Sequence, residues 1–267
     1  MIGGTQTSGW AFYRFALFVT GDGERGFLPT LFRSLERGGH CHFRVVHQLG
    51  QRSPIRSSSR RLEMVRSGKV IPDRDADIGL KARKYLLEGF DYIVFIDDLE
   101  HSRAEDASAV YARYRAAFDV MLRSLGWEAR ASVHFLVNML EAYYFADAAA
   151  VNAVLDTELT DFEGDVETIS HPKNQFKGIV SALGGGQSFD EVEHGKAIVA
   201  RLDVAKVLSR PETCRSLRTA FAWCCRAMGL APTELFRLVD GQLSPATSEQ
   251  LDRLVPSAVK LESYDLP

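Results

Sequence analysis

The chain has 267 residues, 46% of them hydrophobic, which suits one large domain or two modest ones with a real core and sets disorder aside. A formal net charge of -3 and a pI near 6.2 give no global attraction to nucleic acid or anionic lipid, so binding of either requires a local patch. Cys41, Cys214, Cys224 and Cys225 form no C-x-x-C pair and fall on apolar segments, the pattern of buried thiols in a reducing compartment. No stretch nears the roughly 20 apolar residues of a membrane span and no basic, apolar leader opens the chain, so a cytoplasmic location is expected.

Phe12 to Thr20 is rich in β-favouring residues and runs into Gly21-Asp22-Gly23-Glu24, after which Phe27, Leu28, Leu31, Phe32 and Leu35 recur at helical spacing until Gly38-Gly39. His42 to Leu49 reads as a second strand, closed by Gly50. Gln51 to Val70, rich in Ser, Arg and Lys, is a connection longer than a packed fold needs, and loops of that size are usually functional or mobile. Asp77 to Leu87 predicts a helix with Ile78, Ala82, Tyr85 and Leu86 on one face, ended by Gly89. Tyr92-Ile-Val-Phe-Ile96 then meets Asp97-Asp98-Leu99-Glu100, which fits a strand buried on both faces of a parallel sheet with acids at its carboxyl end.

Ala104 to Leu125 predicts a long helix facing the core through Val110, Tyr114, Phe118, Val120 and Leu122. Ser132 to Val137 reads as a fourth strand, and Leu140 to Ala146 starts a helix bearing Glu141. Strands alternating with helices predict an α/β domain over residues 1–156, a core of about four parallel strands with helices on both faces. From 157 to 267 the pattern changes: Asp161 to Ser170 is acidic and irregular, His171-Pro172-Lys173 breaks the chain, and helical periodicity returns in Val192 to Leu208, Cys214 to Met228 and Thr233 to Val239. A helical C-terminal subdomain is expected there.

In a parallel sheet the acids past strands one, three and four share one edge: Asp22 and Glu24, then Asp97, Asp98 and Glu100, then Glu141 with Asn138 nearby. Two carboxylates about 4 Å apart repel by roughly 4 kcal/mol at an effective dielectric near 20, so such a cluster binds a cation or protonates. Mg²⁺ or Mn²⁺, held by one or two carboxylates plus substrate phosphate, answers that need and can activate water for phosphodiester cleavage. Acids at these places also serve as helix caps or pair with an arginine, and that alternative stands beside the metal reading. Ile93-Val-Phe-Ile-Asp97-Asp98 looks like a Walker B strand, but no G-x-x-x-x-G-K-[ST] accompanies it. A phospho-receiver fails on the order of its acids, because the first strand ends in Thr20.

From Arg44 to Lys84 eleven Lys and Arg face four acids, a local excess of positive charge in an acidic chain. Arg52, Arg56, Arg60, Arg61, Arg66 and Lys69 in that segment, with Lys173 further on, are the candidates for gripping a phosphate backbone beside a metal that cuts it; a solvated loop is the plain alternative.

Gly21-Asp22-Gly23-Glu24 after strand one, the acidic pair after a later strand, and Val137-Asn138-Met139-Leu140-Glu141-Ala142-Tyr143-Tyr144-Phe145-Ala146-Asp147 together resemble the bacterial domain-of-unknown-function family 4276. Glu167-Thr168-Ile169 with His171-Pro172-Lys173 is similar to that family's later motif, so the resemblance extends over most of the chain. It implies a TOPRIM-like metal site related to OLD-type nucleases, a role in phage defence and an AAA- or ABC-type ATPase partner. Carried over by position, Glu24 matches the second glutamate of E-G-x-[ST]-E, Asp98 (or Asp97) with Glu100 matches D-x-D, and Glu141 matches the glutamate of E-A-x-x-x-A-D. The resemblance thus implies Glu24, Asp98 and Glu100 as catalytic metal ligands, with Asp97 and Glu141 in the same acidic set. Thr20 stands where the first glutamate of the motif is expected, which leaves a catalytically degenerate scaffold that binds or regulates an ATPase as the competing function. A nucleotide phosphohydrolase using the same metal is the third.

Overall fold

The computed structural model describes residues 11–49, 73–99, 107–182, 189–210 and 213–230. Its centre is a sheet of four parallel strands, β1 (Tyr13–Val19), β2 (Cys41–Gln48), β3 (Tyr92–Leu99) and β4 (Ala131–Val137), in the order β2-β1-β3-β4. Side chains alternate across a strand, so β1 sends Phe15, Leu17 and Val19 to one face and Ala16 and Phe18 to the other; β3 does the same with Val94 and Ile96 against Ile93 and Phe95. Both faces are dry, which is why these strands read as continuous apolar runs.

On the first face lie α1 (Asp22–Leu31), α2 (Arg33–Glu36) and the helices that follow β4. On the second lie α3 (Asp73–Leu87) and α4 (Ala107–Leu122), packed on each other. The chain leaves β1 across one face to reach β2, and comes to β3 from a helix on the other. The carboxyl ends of β1 and β3 therefore form the point where the winding reverses, and a crevice opens there. The fold is α/β with helices on both faces of a four-stranded parallel sheet.

Several local expectations change. The run from Phe27 to Leu35 is two helices, with Pro29 inside α1 removing a backbone donor shortly before the break at Phe32. The long helix after β3 spans Ala107–Leu122 and passes into a 3-10 turn; Val120, expected in the core, is 47% exposed because Phe118 and Leu122 on either side of it take the buried face. Val192 to Leu208 is likewise two helices, α7 (Glu193–Val199) and α8 (Val204–Ser209). Thr233 to Val239 lies outside the described residues.

Beyond β4 come α5 (Ala148–Leu155), α6 (Pro172–Ala182), α7, α8 and α9 (Arg215–Ala227). These helices share one apolar cluster with the sheet: Phe15 of β1 stacks on Phe43 of β2 at 4.5 Å, Phe43 on Phe32 at 4.4 Å, and Phe32 on Phe221 of α9 at 4.8 Å. All four cysteines are buried thiols. Among the described residues no helix is long and apolar enough to cross a membrane.

Glu167 ties this layer together from inside. Its carboxylate accepts from the Tyr143 hydroxyl at 2.8 Å and the Ser216 amide at 2.7 Å, while burial, with Asp165 adding to it, pushes its pKa up from 4.5 to about 7. The folded state then holds a proton that the unfolded chain has released, so stability falls as pH rises from about 4.5 to 7, by roughly 3 kcal/mol in all. Glu167→Gln keeps the accepting oxygen and is expected to remove that slope, as read from urea midpoints across the window.

Candidate functional site

β1 pairs with β3 only as far as Val19 and Ile96, whereas β3 and β4 continue together to Leu99 and Val137. The end of β3 therefore stands past the end of β1, over the start of α1. Where β1 no longer runs alongside, the Thr20 hydroxyl accepts the Asp98 backbone N–H at 3.1 Å. Thr20, in the place of an expected glutamate, thus fixes the backbone that carries Asp98. Thr20→Val is expected to leave that buried amide unpaired and cost about 1–3 kcal/mol in urea unfolding, with Thr20→Ser close to wild type.

Both aspartates lie within β3, so alternation separates them. Asp98 faces the crevice; Asp97 faces α4, where its Oδ2 accepts from the Tyr114 hydroxyl at 3.3 Å. Asp97, expected among the metal ligands, does not line the site, and of the pair only Asp98 does.

Glu24 comes from the first turn of α1, where Gly21 precedes the helix without a side-chain cap. The Glu24 carboxylate folds back over Gly21 so closely that a Cβ there would sit 1.9 Å from Oε2, so a larger residue at position 21 would push the carboxylate out of this place. Glu24 is 5% exposed, and its Oε2 is buried with no hydrogen-bond partner among the described residues.

Glu141 is delivered by a strained turn. Asn138 (φ 58°) and Met139 (φ 77°) both take positive φ directly after β4, a region non-glycine residues enter at about 1–3 kcal/mol each. Asn138 offsets part of this by donating its side-chain amide to the Glu167 carbonyl at 2.7 Å. The reversal sends the 3-10 stretch Leu140–Ala146 along the crevice, with Leu140, Glu141 and Tyr144 on its wall. Lys173, at the start of α6, reaches Glu141 at 3.6 Å and Glu191 at 3.1 Å.

The result is a cavity of about 580 Å³ whose described lining holds five carboxylates, Asp22, Glu24, Asp98, Glu141 and Glu191, against the single ammonium of Lys173. Burial, with Glu24, Glu141 and Asp97 adding to it, holds the Asp98 carboxyl well above the usual carboxylate range. Burial also raises Glu24, helped by Glu141 and Asp97, and it raises Glu141 against the opposing pull of Lys173. Such a site resists carrying its full charge without a cation. Among the described residues no three His, Cys, Asp or Glu side chains are grouped closely enough to cage a metal ion. Mg²⁺ asks for less: it keeps several waters and takes one or two carboxylates. Asp98 and the Glu24 oxygen that has no partner among the described residues, both oxygen donors, fit that demand.

Glu100 and the basic residues Arg52, Arg56, Arg60, Arg61, Arg66 and Lys69 lie outside the described residues. The expected acids Glu24, Asp98 and Glu141, and the base Lys173, come together in the cavity. Sequence reasoning missed Glu191, which lies in no motif, and Gln48, whose amide at the end of β2 donates to Asp22 at 2.8 Å. It also passed over a legible signal: Gly21, Gly23 and Gly26 spell G-x-G-x-x-G after a strand and at the opening of a helix. Gly23 and Gly26 line the cavity, and a Cβ on either would meet nothing within 4 Å, so internal packing does not demand them. They leave the amino end of α1 open to close approach by a phosphate. Asp22 and Glu24 would repel a bare pyrophosphate at the same place.

Comparison of the chain with protein-family models, with curated proteins and with solved structures found no match.

Proposed function

We propose that this protein is a Mg²⁺- or Mn²⁺-dependent, TOPRIM-like nuclease that hydrolyses phosphodiester bonds in DNA or RNA. The observation that carries this reading is the buried Glu24 oxygen without a hydrogen bond among the described residues, in a cavity it shares with Asp98 at the winding reversal of the sheet. Glu24 and Asp98 hold the ion, Thr20 sets the position of Asp98, and the glycine-lined end of α1 admits the scissile phosphate. A divalent ion held by Glu24 and Asp98 would supply activation of water and charge stabilisation at the leaving oxygen. By the sequence reading, Glu100 would add a further ligand and the basic residues from Arg52 to Lys69 would contact backbone phosphates. The resemblance to family 4276 adds a cytoplasmic phage-defence role with an AAA- or ABC-type ATPase as partner.

Purified protein is expected to nick plasmid DNA or cut tRNA with Mg²⁺ or Mn²⁺ and to stop on addition of EDTA. Cleavage that persists in EDTA, or in Glu24→Ala, contradicts the proposal. Two observations favour the second reading, a scaffold that regulates an ATPase: the described acids do not form a three-ligand group, and Thr20 is engaged in holding backbone. A scaffold would bind its ATPase equally well with Asp98 replaced and would show no cation binding that depends on Asp98.

A further inference from the structure

Four of the five acids of the cavity fall into two pairs, while the fifth, Asp22, accepts from Gln48. Glu24 and Asp98, from α1 and β3, make one; Glu141 and Glu191 make the other, and Lys173 lies between the second pair. Lys177, one turn further along α6, meets the other oxygen of Glu191 at 3.3 Å, so Glu191 is gripped by two ammonium groups and in turn keeps Lys173 in place. In two-metal phosphodiesterase sites the ions sit about 3.5–4 Å apart, joined through shared acids. Here the side that would hold a second ion already has a cation, while on the other the Glu24 Oε2 is buried with no hydrogen bond among the described residues.

We propose that Lys173 is a built-in second cation, so that the cavity takes a single divalent ion, at Glu24 and Asp98, while the Lys173 ammonium holds the Glu141 and Glu191 side. This rests on the metal-dependent reading above. The ammonium supplies positive charge beside the ion without needing a second metal, and it excludes one by repulsion and by occupying Glu141. Burial works against the charge on Lys173, but Glu141 and Glu191 outweigh it and raise its pKa, so the cation is retained at neutral pH.

The test counts Mn²⁺ ions bound per full-length chain, from the paramagnetic resonance signal of free Mn²⁺ during titration. One ion is expected for wild type, two for Lys173→Met, and one again for Lys173→Arg. Two ions on wild type, or one on Lys173→Met, overturns the inference; if the methionine variant does not fold, Lys173→Gln is counted against the same expectation. The outcomes separate the two claims. Two ions on wild type remove only the role of Lys173, whereas no ion on wild type removes the metal-dependent reading and this inference with it.

Discussion

Asp98→Asn is expected to lower cleavage by about 10³-fold or more, roughly 4 kcal/mol of transition-state stabilisation, while raising the thermal midpoint of the metal-free protein by a few degrees. The two effects have one cause. Burial and the neighbouring Glu24, Glu141 and Asp97 disfavour the charged carboxylate that metal binding requires, and asparagine removes that charge with little change of shape. The sign of the pH dependence follows. Asp98, Glu24 and Glu141 are all raised, so above the ordinary carboxylate range the unfolded chain has lost protons that the folded state keeps. Stability of the metal-free protein therefore falls as pH rises through the raised values, and Asp98→Asn should make that fall shallower. Cleavage in the variant within a few-fold of wild type, or a lower midpoint without metal, would count against the assignment of Asp98.

The second large effect belongs to the core. Trp223 of α9 is fully buried against the sheet, edge-on to Tyr92 at 5.6 Å, to Phe15 at 6.5 Å and to the neutral His134 of β4 at 6.1 Å. Burial holds the His134 pKa down to about 3, which keeps that ring uncharged beneath the indole. Trp223→Ala should cost about 3–5 kcal/mol, a large part of the stability of a typical domain. Because α9 and β1 share one apolar cluster, the loss should appear as a shift of a single urea transition. Trp223→Phe keeps the ring and drops an indole N–H that has no hydrogen-bond partner among the described residues, so it should cost much less. Two separate transitions, with only one moved by Trp223→Ala, would mean that the C-terminal helices fold as an independent unit.

The strands were legible because parallel strands covered on both faces are largely apolar, as the runs from Tyr13, Tyr92 and Ala131 are apart from Arg14, the two aspartates of β3, Ser132 and His134. The edge that gathers the acids follows from strand direction alone, which makes Glu24, Asp98 and Glu141 legible in the sequence. What local pattern did not decide was facing. Asp97 and Asp98 are alike as letters, and only the register of β3 separates one toward Tyr114 from the other toward the cavity. Val120 failed for a related reason, since the face of α4 turned to α3 and the sheet is taken by Phe118 and Leu122, which leaves Val120 on the opposite side. Glu191 carried no signal, because its role comes from Lys173 and Lys177 on a different element. Thr20 looked like a defect against the resembled motif; the hydrogen bond from Asp98 shows it holding the site backbone.

The central claim is that Glu24 and Asp98 together hold a divalent cation that offsets their burial, and a thermal melt of wild type and Glu24→Gln against increasing Mg²⁺ tests it most directly. Wild type should gain about 2.7 kcal/mol at a hundredfold excess over its dissociation constant, seen as a steadily rising midpoint. Glu24→Gln should start higher without metal and stay flat. Equal rises in both proteins, or no rise in wild type, would contradict the account.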